Sequence, residues 1–293
     1  MVELAKLFVS FILPELPEVE TVRRGLSRVT LYQPIRGGEV LLDRSIAHPV
    51  FTKDFLSAII GAEMTGWQRR GKYLLAVLAR QDRSVGWLGA HLRMTGQLLW
   101  VSRSMPVSSH CRVRLFFDGD QELRYVDQRT FGRLWWVPPD HRPEDIMTGL
   151  QRLGPEPFGE QFSLAYMQAW FGRRQRPVKN ALLDQAMVAG IGNIYADEAL
   201  FLSGIRPRVR CDRISHRRLE HLHVAIRKVL TDSIEAGGTT FSDFRDIHGT
   251  NGNYGGVAWV YDRENEPCRV CSTPIKRIKL AGRSAHYCPS CQT

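Results

Sequence analysis

Four cysteines near the C-terminus have the spacing of a metal site. Cys268 and Cys271 are separated by two residues, sixteen residues follow, and Cys288 and Cys291 repeat the first spacing. Two intervening residues let one turn aim both thiolates at a single ion, and the longer spacer can form a hairpin that closes the site. Four thiolates leave a tetrahedral zinc no open position, so the expected cofactor is one structural Zn2+. The segment it would hold, KRIKLAGRSAHY at 276–287, carries Lys276, Arg277, Lys279 and Arg283 around a Gly282 turn. A basic hairpin of this kind suits a phosphate-lined groove, whereas a solvated surface loop would need no such staple. Cys111 and Cys211 stand alone, so the six cysteines do not resemble a secreted disulfide framework and fit a reducing compartment.

Composition bounds what these residues could serve. Forty Lys and Arg against 30 Asp and Glu give a formal charge of +10. That excess points to nucleic acid or an acidic membrane surface, or simply to a soluble basic protein. With 43% hydrophobic and 10% aromatic residues, the 293-residue chain is no disordered basic tail. It can fold as two domains and a small appendage. No apolar run approaches the ~18 residues of a membrane span. Residues 7–13 are short for a signal peptide, and no small-residue cleavage site follows.

The elements that must position the chemistry can be read in order. PEVETVRRGLSRV (17–29) places Val19, Val22, Leu26 and Val29 at helical spacing, with acidic residues in the first turn. Between 43 and 137, KYLLAVLA, VGWLGAHL, QLLWV, CRVRLFF, ELRYV and GRLWWV read as strands, and their spacing predicts an antiparallel sandwich. PPDHRPED (138–145) reads as a charged linker. Beyond it, Ser163 should cap a helix through LAYMQAWFGRR, and Pro177 should open one through VKNALLDQAMV. The AGIGN turn (189–193) should lead into a helix ending at Gly204, and Ser215 should begin a long helix ending at Gly237–Gly238. IHGTNGNYGG (247–256) is too Gly-rich for regular structure and reads as a mobile loop.

PELPEVE (14–20) resembles the start of the formamidopyrimidine-DNA glycosylase family, in which proline becomes residue one after methionine removal. The resemblance, to the bacterial type, runs through the chain from Pro14. QRRGKYLL carries Lys72, HLRMTG carries Met94, DQRTFG carries Arg129 and Phe131, and GIGNIYADE carries Asn193 and Tyr195. The cysteine module with Arg283 completes the family's order. DQRTFG departs from the frequent DPRRFG, keeping the first arginine and the phenylalanine but changing the turn. The resemblance implies an α+β multidomain fold: an N-terminal antiparallel β-sandwich flanked by helices, a C-terminal helix-two-turn-helix domain and a zinc-ribbon hairpin. The expected divisions are an extension at 1–13, the catalytic sandwich at 14–140 and a linker at 141–160. A DNA-binding domain at 161–246, a mobile lesion-recognition loop at 247–261 and the zinc hairpin at 262–293 follow.

The resemblance further implies a bifunctional glycosylase and abasic-site lyase of base excision repair. It would act on 8-oxoguanine and formamidopyrimidines in double-stranded DNA, as a cytoplasmic monomer with no membrane partner. An α-amino group titrates near ~8, against ~10.4 for lysine, so an N-terminal Pro14 would be a usable nucleophile at C1′. Glu15 matches the acid that protonates the sugar-ring oxygen. Lys72 matches the second catalytic amine, and Arg283 a finger residue of the last elimination. Plainer readings stand beside these. Glu15 and Glu18 could favour a helix N-terminus, Lys72 could belong to a solvated charge run, and Arg283 could hold phosphate. Met94, Arg129 and Phe131 match residues that fill the void left by an everted base. His110, Arg129, Lys179 and Asn193 match DNA contacts, and 251–256 would be a lid.

A proline inside a chain has an amide nitrogen and forms no iminium. Residues 1–13 are therefore expected to be absent from the active protein, with translation starting at Leu13, where the family has methionine. Cleavage of a longer precursor would expose Pro14 equally, and a catalytically dead paralogue would keep the extension. Two functions compete with the main reading. One is an oxidised-pyrimidine glycosylase of endonuclease VIII type, and the other a non-catalytic zinc-ribbon DNA-binding protein.

Overall fold

A computed structural model of the chain describes residues 13–239 and 245–293, so the expected extension lies outside it except for Leu13. Helix α1 (Leu16–Val29) has Pro17 in its first turn, where a missing N–H leaves no bond unmade. Its apolar stripe is split between two cores. Leu16 packs into the core of the C-terminal half, while Val19, Val22 and Leu26 pack into that of the N-terminal half. The residue just before this helix, Glu15, therefore sits where the halves meet.

The N-terminal half continues through β1 (Gly37–Val40), β2 (Ile46–His48), α2 (Thr52–Ile59), β3 (Glu63–Arg70), β4 (Tyr73–Arg80) and β5 (Arg83–His91). Then come β6 (Gly96–Ser102), β7 (Cys111–Phe116), β8 (Gln121–Asp127) and β9 (Arg133–Val137). Two sheets of order β1-β7-β8-β6 and β2-β9-β5-β4-β3 face each other, and the six expected strands are β4 to β9. The sandwich is not wholly antiparallel, because β2 pairs with β9 in parallel. The strand β3 was hidden in EMTGWQRR, where Gly66 and three consecutive polar residues interrupt the apolar alternation.

Residues 141–160 are not a free tether. Helix α3 (Pro143–Ile146) leads to Met147 and Leu150, which are buried against Tyr73, Leu75 and Val137. Glu156 accepts the Gly71 N–H at 2.6 Å and pairs with Arg69 and Arg70, so this stretch grips the β3–β4 turn. The charge run at 69–72 is accordingly not a solvated face.

In the C-terminal half, Ser163 caps α4 (Leu164–Phe171) by accepting the Tyr166 N–H. Pro177 precedes α5 (Val178–Leu182), which is shorter than expected because Asp184 Oδ1 takes the Ala186 N–H and turns the chain. Helix α6 (Asn193–Leu202) stops before Gly204 at φ +68°, and α7 (His216–Glu235) stops before Gly237 and Gly238, also at positive φ. Within 247–261, Ile247 is buried in the sandwich core, and Tyr254 and Tyr261 are buried in the C-terminal core. Strands β10 (Lys276–Leu280) and β11 (Arg283–Tyr287) form the expected hairpin, in antiparallel register from Lys276↔Tyr287 to Leu280↔Arg283.

Candidate active site

Glu15 is 1% exposed, and its carboxylate caps a helix whose N-terminus lies 177 residues further along the chain. Oε2 accepts the N–H groups of Gly192 (2.8 Å) and Tyr195 (3.4 Å), and Oε1 accepts that of Ile194 (2.9 Å). These are donors that the first turn of α6 cannot use internally. The approach requires glycine: a Cβ on Gly192 would lie 2.3 Å from Glu15 Cδ, and one on Gly190 would lie 2.7 Å from Leu16. Burial drives the Glu15 pKa up to about 7. Nearby Lys72 and the helix N–H groups pull the other way, and buried Glu18 adds to the rise. Glu18 takes the Glu15 N–H (2.9 Å), the Tyr195 hydroxyl (2.6 Å) and the Thr239 N–H (2.9 Å). Sequence reasoning gave Glu18 only a helix-terminus role; nothing in its spacing announced three buried donors.

Lys72 stands in the β3–β4 turn after Gly71, whose φ is +55°. Desolvation lowers its pKa, opposed by Glu15 and Glu18 and assisted by Arg283. Glu15, Lys72, Asn193 and Arg283 line one cleft of about 690 Å³, together with Leu13, His91 and Tyr261. Pro14 is buried beside Glu15. Arg283 is exposed at the head of β11, so the hairpin turn delivers it to a cleft whose floor belongs to the sandwich and α6. The arrangement offers a protonatable acid and an amine of lowered basicity within a positively charged rim.

The proposed void-filling residues lie on sandwich loops and do not line that cleft. Met94 is half-buried in the β5–β6 turn, and Phe131 is 50% exposed beyond β8. The Arg129 guanidinium carbon lies 5.0 Å from the Phe131 ring centre. A buried carboxylate missed in the sequence ties these loops together. Asp127 Oδ1 accepts the Thr95 hydroxyl, and Oδ2 accepts the Tyr125 hydroxyl and the Gly132 N–H. Thr95 in turn accepts the Arg129 N–H at 3.0 Å. His110 precedes β7 and lies 3.3 Å from the Arg112 guanidinium through Nδ1.

Lys179, expected to contact DNA, is held inside the fold. It is 1% exposed, its ammonium lies 2.7 Å from Asp197 Oδ1, and it donates to the Ser284 carbonyl at 2.5 Å. Asn193 Nδ2 reaches Ser284 Oγ (3.3 Å) and the Tyr261 hydroxyl (3.5 Å) at the edge of the cleft. Another missed carboxylate, Glu198, accepts the N–H groups of Trp259, Val260 and Tyr261 at 2.8–2.9 Å and so anchors the segment expected to be mobile.

The four module cysteines converge as the spacing predicted, with their Sγ atoms all within 4.8 Å of one another. Separations of 3.9, 3.5 and 3.4 Å fall close to the ~3.8 Å edge of a tetrahedron with 2.3 Å zinc–sulfur bonds. The Val270 and Cys291 N–H groups point at the Cys268 and Cys288 sulfurs, as suits thiolates. The donor set fits a closed zinc site.

Comparison with known proteins gives matches along the chain. The formamidopyrimidine-DNA glycosylase N-terminal domain matches residues 13–134, and the H2TH domain of the same family matches 153–245. A zinc finger found in FPG and IleRS matches 265–293. Formamidopyrimidine-DNA glycosylase of Acaryochloris marina is 58% identical over 281 residues, covering 96% of this chain and 99% of the relative. The structure of Lactococcus lactis Fpg with abasic-site DNA is similar with a TM-score of 0.86 at 32% identity, covering 95% and 99% of the two chains. Its complex with DNA containing Fapy-dG gives 0.85 at the same identity, covering 95% and 100%.

Proposed function

Because the chain belongs to the formamidopyrimidine-DNA glycosylase family, we propose that it removes 8-oxoguanine and formamidopyrimidines from duplex DNA and cleaves the strand where the base was lost. The observation that carries this reading is the Glu15 carboxyl, pinned on α6 with its pKa near 7, in one cleft with Lys72, Asn193 and Arg283.

In the proposed mechanism, the neutral amine of an N-terminal Pro14 attacks C1′, and the bond from C1′ to the base nitrogen breaks, the departing base taking up the proton that the amine sheds. Glu15, half protonated near neutrality, donates its proton to the ring oxygen as the C1′–O4′ bond opens and an iminium forms. Loss of a C2′ proton expels the 3′ phosphate, and a second elimination expels the 5′ phosphate. Lys72 is suited to proton transfer by its lowered basicity, and Arg283 to charge on the departing phosphate. The four cysteines would hold zinc, which supplies the hairpin's rigidity and takes no part in these steps. Met94, Arg129 and Phe131 are proposed to fill the gap left by the everted base, with His110 and Asn193 on phosphates. Residues 14–140 would serve as the catalytic domain and 161–246 as the DNA-binding domain. The protein would work as a monomer on cytoplasmic DNA; no described helix is long and apolar enough to cross a membrane.

The active species is proposed to begin at Pro14. The N-terminal family match starts at residue 13, and only a terminal proline nitrogen is an amine. Borohydride reduction on an 8-oxoguanine duplex, with intact-mass measurement of the same sample, tests this. Protein beginning at Pro14 should become covalently fixed to DNA, and protein retaining residues 1–13 should not. Trapping by both forms or by neither refutes the assignment.

A further inference from the structure

The buried pair Lys179–Asp197 occupies the position a neighbouring strand would take beside β11. Ser284 pairs with Lys279 and His286 with Arg277 across the hairpin. On the other edge of β11, residues two apart turn one carbonyl and one N–H the same way, and an open edge would leave both to water. Here Lys179 Nζ donates to the Ser284 carbonyl at 2.5 Å, and Asp197 Oδ2 accepts the His286 N–H at 2.9 Å. Asp197 Oδ1 closes the circuit with Lys179 at 2.7 Å, both side chains being at most 1% exposed. A donor from α5 and an acceptor from α6 thus reproduce the bonding of a strand. Asn193 adds a contact to the Ser284 hydroxyl.

The residue before Ser284 is Arg283. We propose that Lys179 and Asp197 are positioning residues that fix the register of β11 against α6 and thereby hold Arg283 in the cleft. Zinc makes the hairpin rigid, and packing of Cys268, Ile275 and Cys288 against Phe201 and Val260 seats the far end of the module. At β11 itself the ion pair holds the strand from inside the helical domain. A buried pair is poorly replaced by one charged partner alone, because the orphaned charge is destabilising. Removing both together avoids that penalty while deleting both strand-like bonds.

This inference rests on the proposed glycosylase activity only for its second readout. The test uses the protein beginning at Pro14 and the double variant Lys179→Met/Asp197→Leu, whose near-isosteric apolar side chains carry neither the donor nor the acceptor, each checked for one zinc per chain by native mass spectrometry. Hydrogen exchange should show the His286 amide of the double variant exchanging at least tenfold faster, with the zinc retained. Unchanged exchange there overturns the proposal whatever the activity. On abasic DNA, the double variant should still form the borohydride adduct, but its second elimination should slow about tenfold relative to the first. Adding Arg283→Ala should slow it no further, since both changes remove the same contribution. A full additional loss on adding Arg283→Ala also overturns the positioning role. The exchange-charge variant Lys179→Asp/Asp197→Lys restores an ion pair but sets acceptor against carbonyl and donor against N–H. It should not rescue, and rescue would show that charge rather than strand mimicry matters. Failure of the unsubstituted protein to trap would instead refute the functional reading, leaving the exchange result to decide the structural one.

Discussion

Glu15→Gln should separate stability from catalysis in a way that depends on pH. Burial raises the Glu15 pKa from an ordinary 4.5 to about 7 in the folded chain. The folded state therefore binds a proton that the unfolded state has released between those values. The stability Glu15 contributes is complete below pH 4.5 and is lost as pH rises through 7. At about 1.4 kcal/mol for each tenfold change in proton affinity, the loss amounts to about 3 kcal/mol. Solvent screening removes little of it, because the side chain is only 1% exposed. Glutamine cannot ionise, so its stability should not show this decline. Its amide would face a helix N–H with a donor, which costs about 1–3 kcal/mol but at every pH alike. Urea unfolding of the 293-residue chain and its Glu15→Gln variant at pH 5 and pH 8 should show the difference between them shift by about 3 kcal/mol in favour of the variant at pH 8. On the form beginning at Pro14 the same substitution should abolish base release, whose rate should otherwise fall above pH 7 as the acid loses its proton. Parallel pH–stability curves for the two proteins would refute the argument that desolvation dominates the helix N–H groups at this site.

Other perturbations have equally direct readouts. Gly192→Ala puts a Cβ 2.3 Å from Glu15 Cδ, so turnover in single-turnover assays should fall about a hundredfold, as expected for a misplaced reacting group. Wild-type rates would show that the carboxylate can relocate. Asp127→Asn replaces an acceptor serving three buried donors with a group that can serve fewer. It should lower stability by about 2 kcal/mol in denaturant titration and weaken lesion-duplex binding through the loops bearing Met94 and Arg129. Chelating the zinc should release the β10–β11 ribbon, because two strands alone are marginal in water. Hydrogen exchange confined to 262–293, with loss of DNA affinity, is the expected result, and unchanged affinity would remove the hairpin from the DNA surface.

What was legible in the sequence was what a local pattern can express. The cysteine spacing, the strand alternation of β4 to β9 and the stop glycines of α6 and α7 each follow from a few neighbouring residues. Glu15, Lys72, Asn193 and Arg283 were found through motif order, and the structure brings all four to one cleft. The rest depends on contacts across long separations. Glu156, in what looked like a linker, holds Arg69, Arg70 and the Gly71 amide. Lys179 reads as one more cation of a basic surface until its Asp197 partner is seen in three dimensions. The Gly-rich segment after 247 suggested motion because glycine content reports local freedom. Its anchors, Ile247, Tyr254 and the amides held by Glu198, belong to tertiary packing.

Helix α6 explains why these distant pieces converge. Residues Ile194 to Phe201 are all buried, so the helix has no solvent face on which to spend polar side chains. The polar groups in NIYADE therefore look to other elements for partners, and apart from Asn193 Oδ1, which is buried without a hydrogen bond, each is hydrogen-bonded or ion-paired there. Asn193 turns to Ser284 and Tyr261, while the first-turn amides take Glu15. The Tyr195 hydroxyl meets Glu18, Asp197 meets Lys179 and His286, and Glu198 takes the amides at 259–261. Satisfying this one short helix thereby fixes the acid at the start of α1, the hairpin carrying Arg283 and the segment carrying Tyr261. The same low-dielectric surroundings that make an unpaired group there expensive also raise the Glu15 pKa toward neutrality. Burying a polar helix between three modules thus assembles the site and tunes its acid in one step.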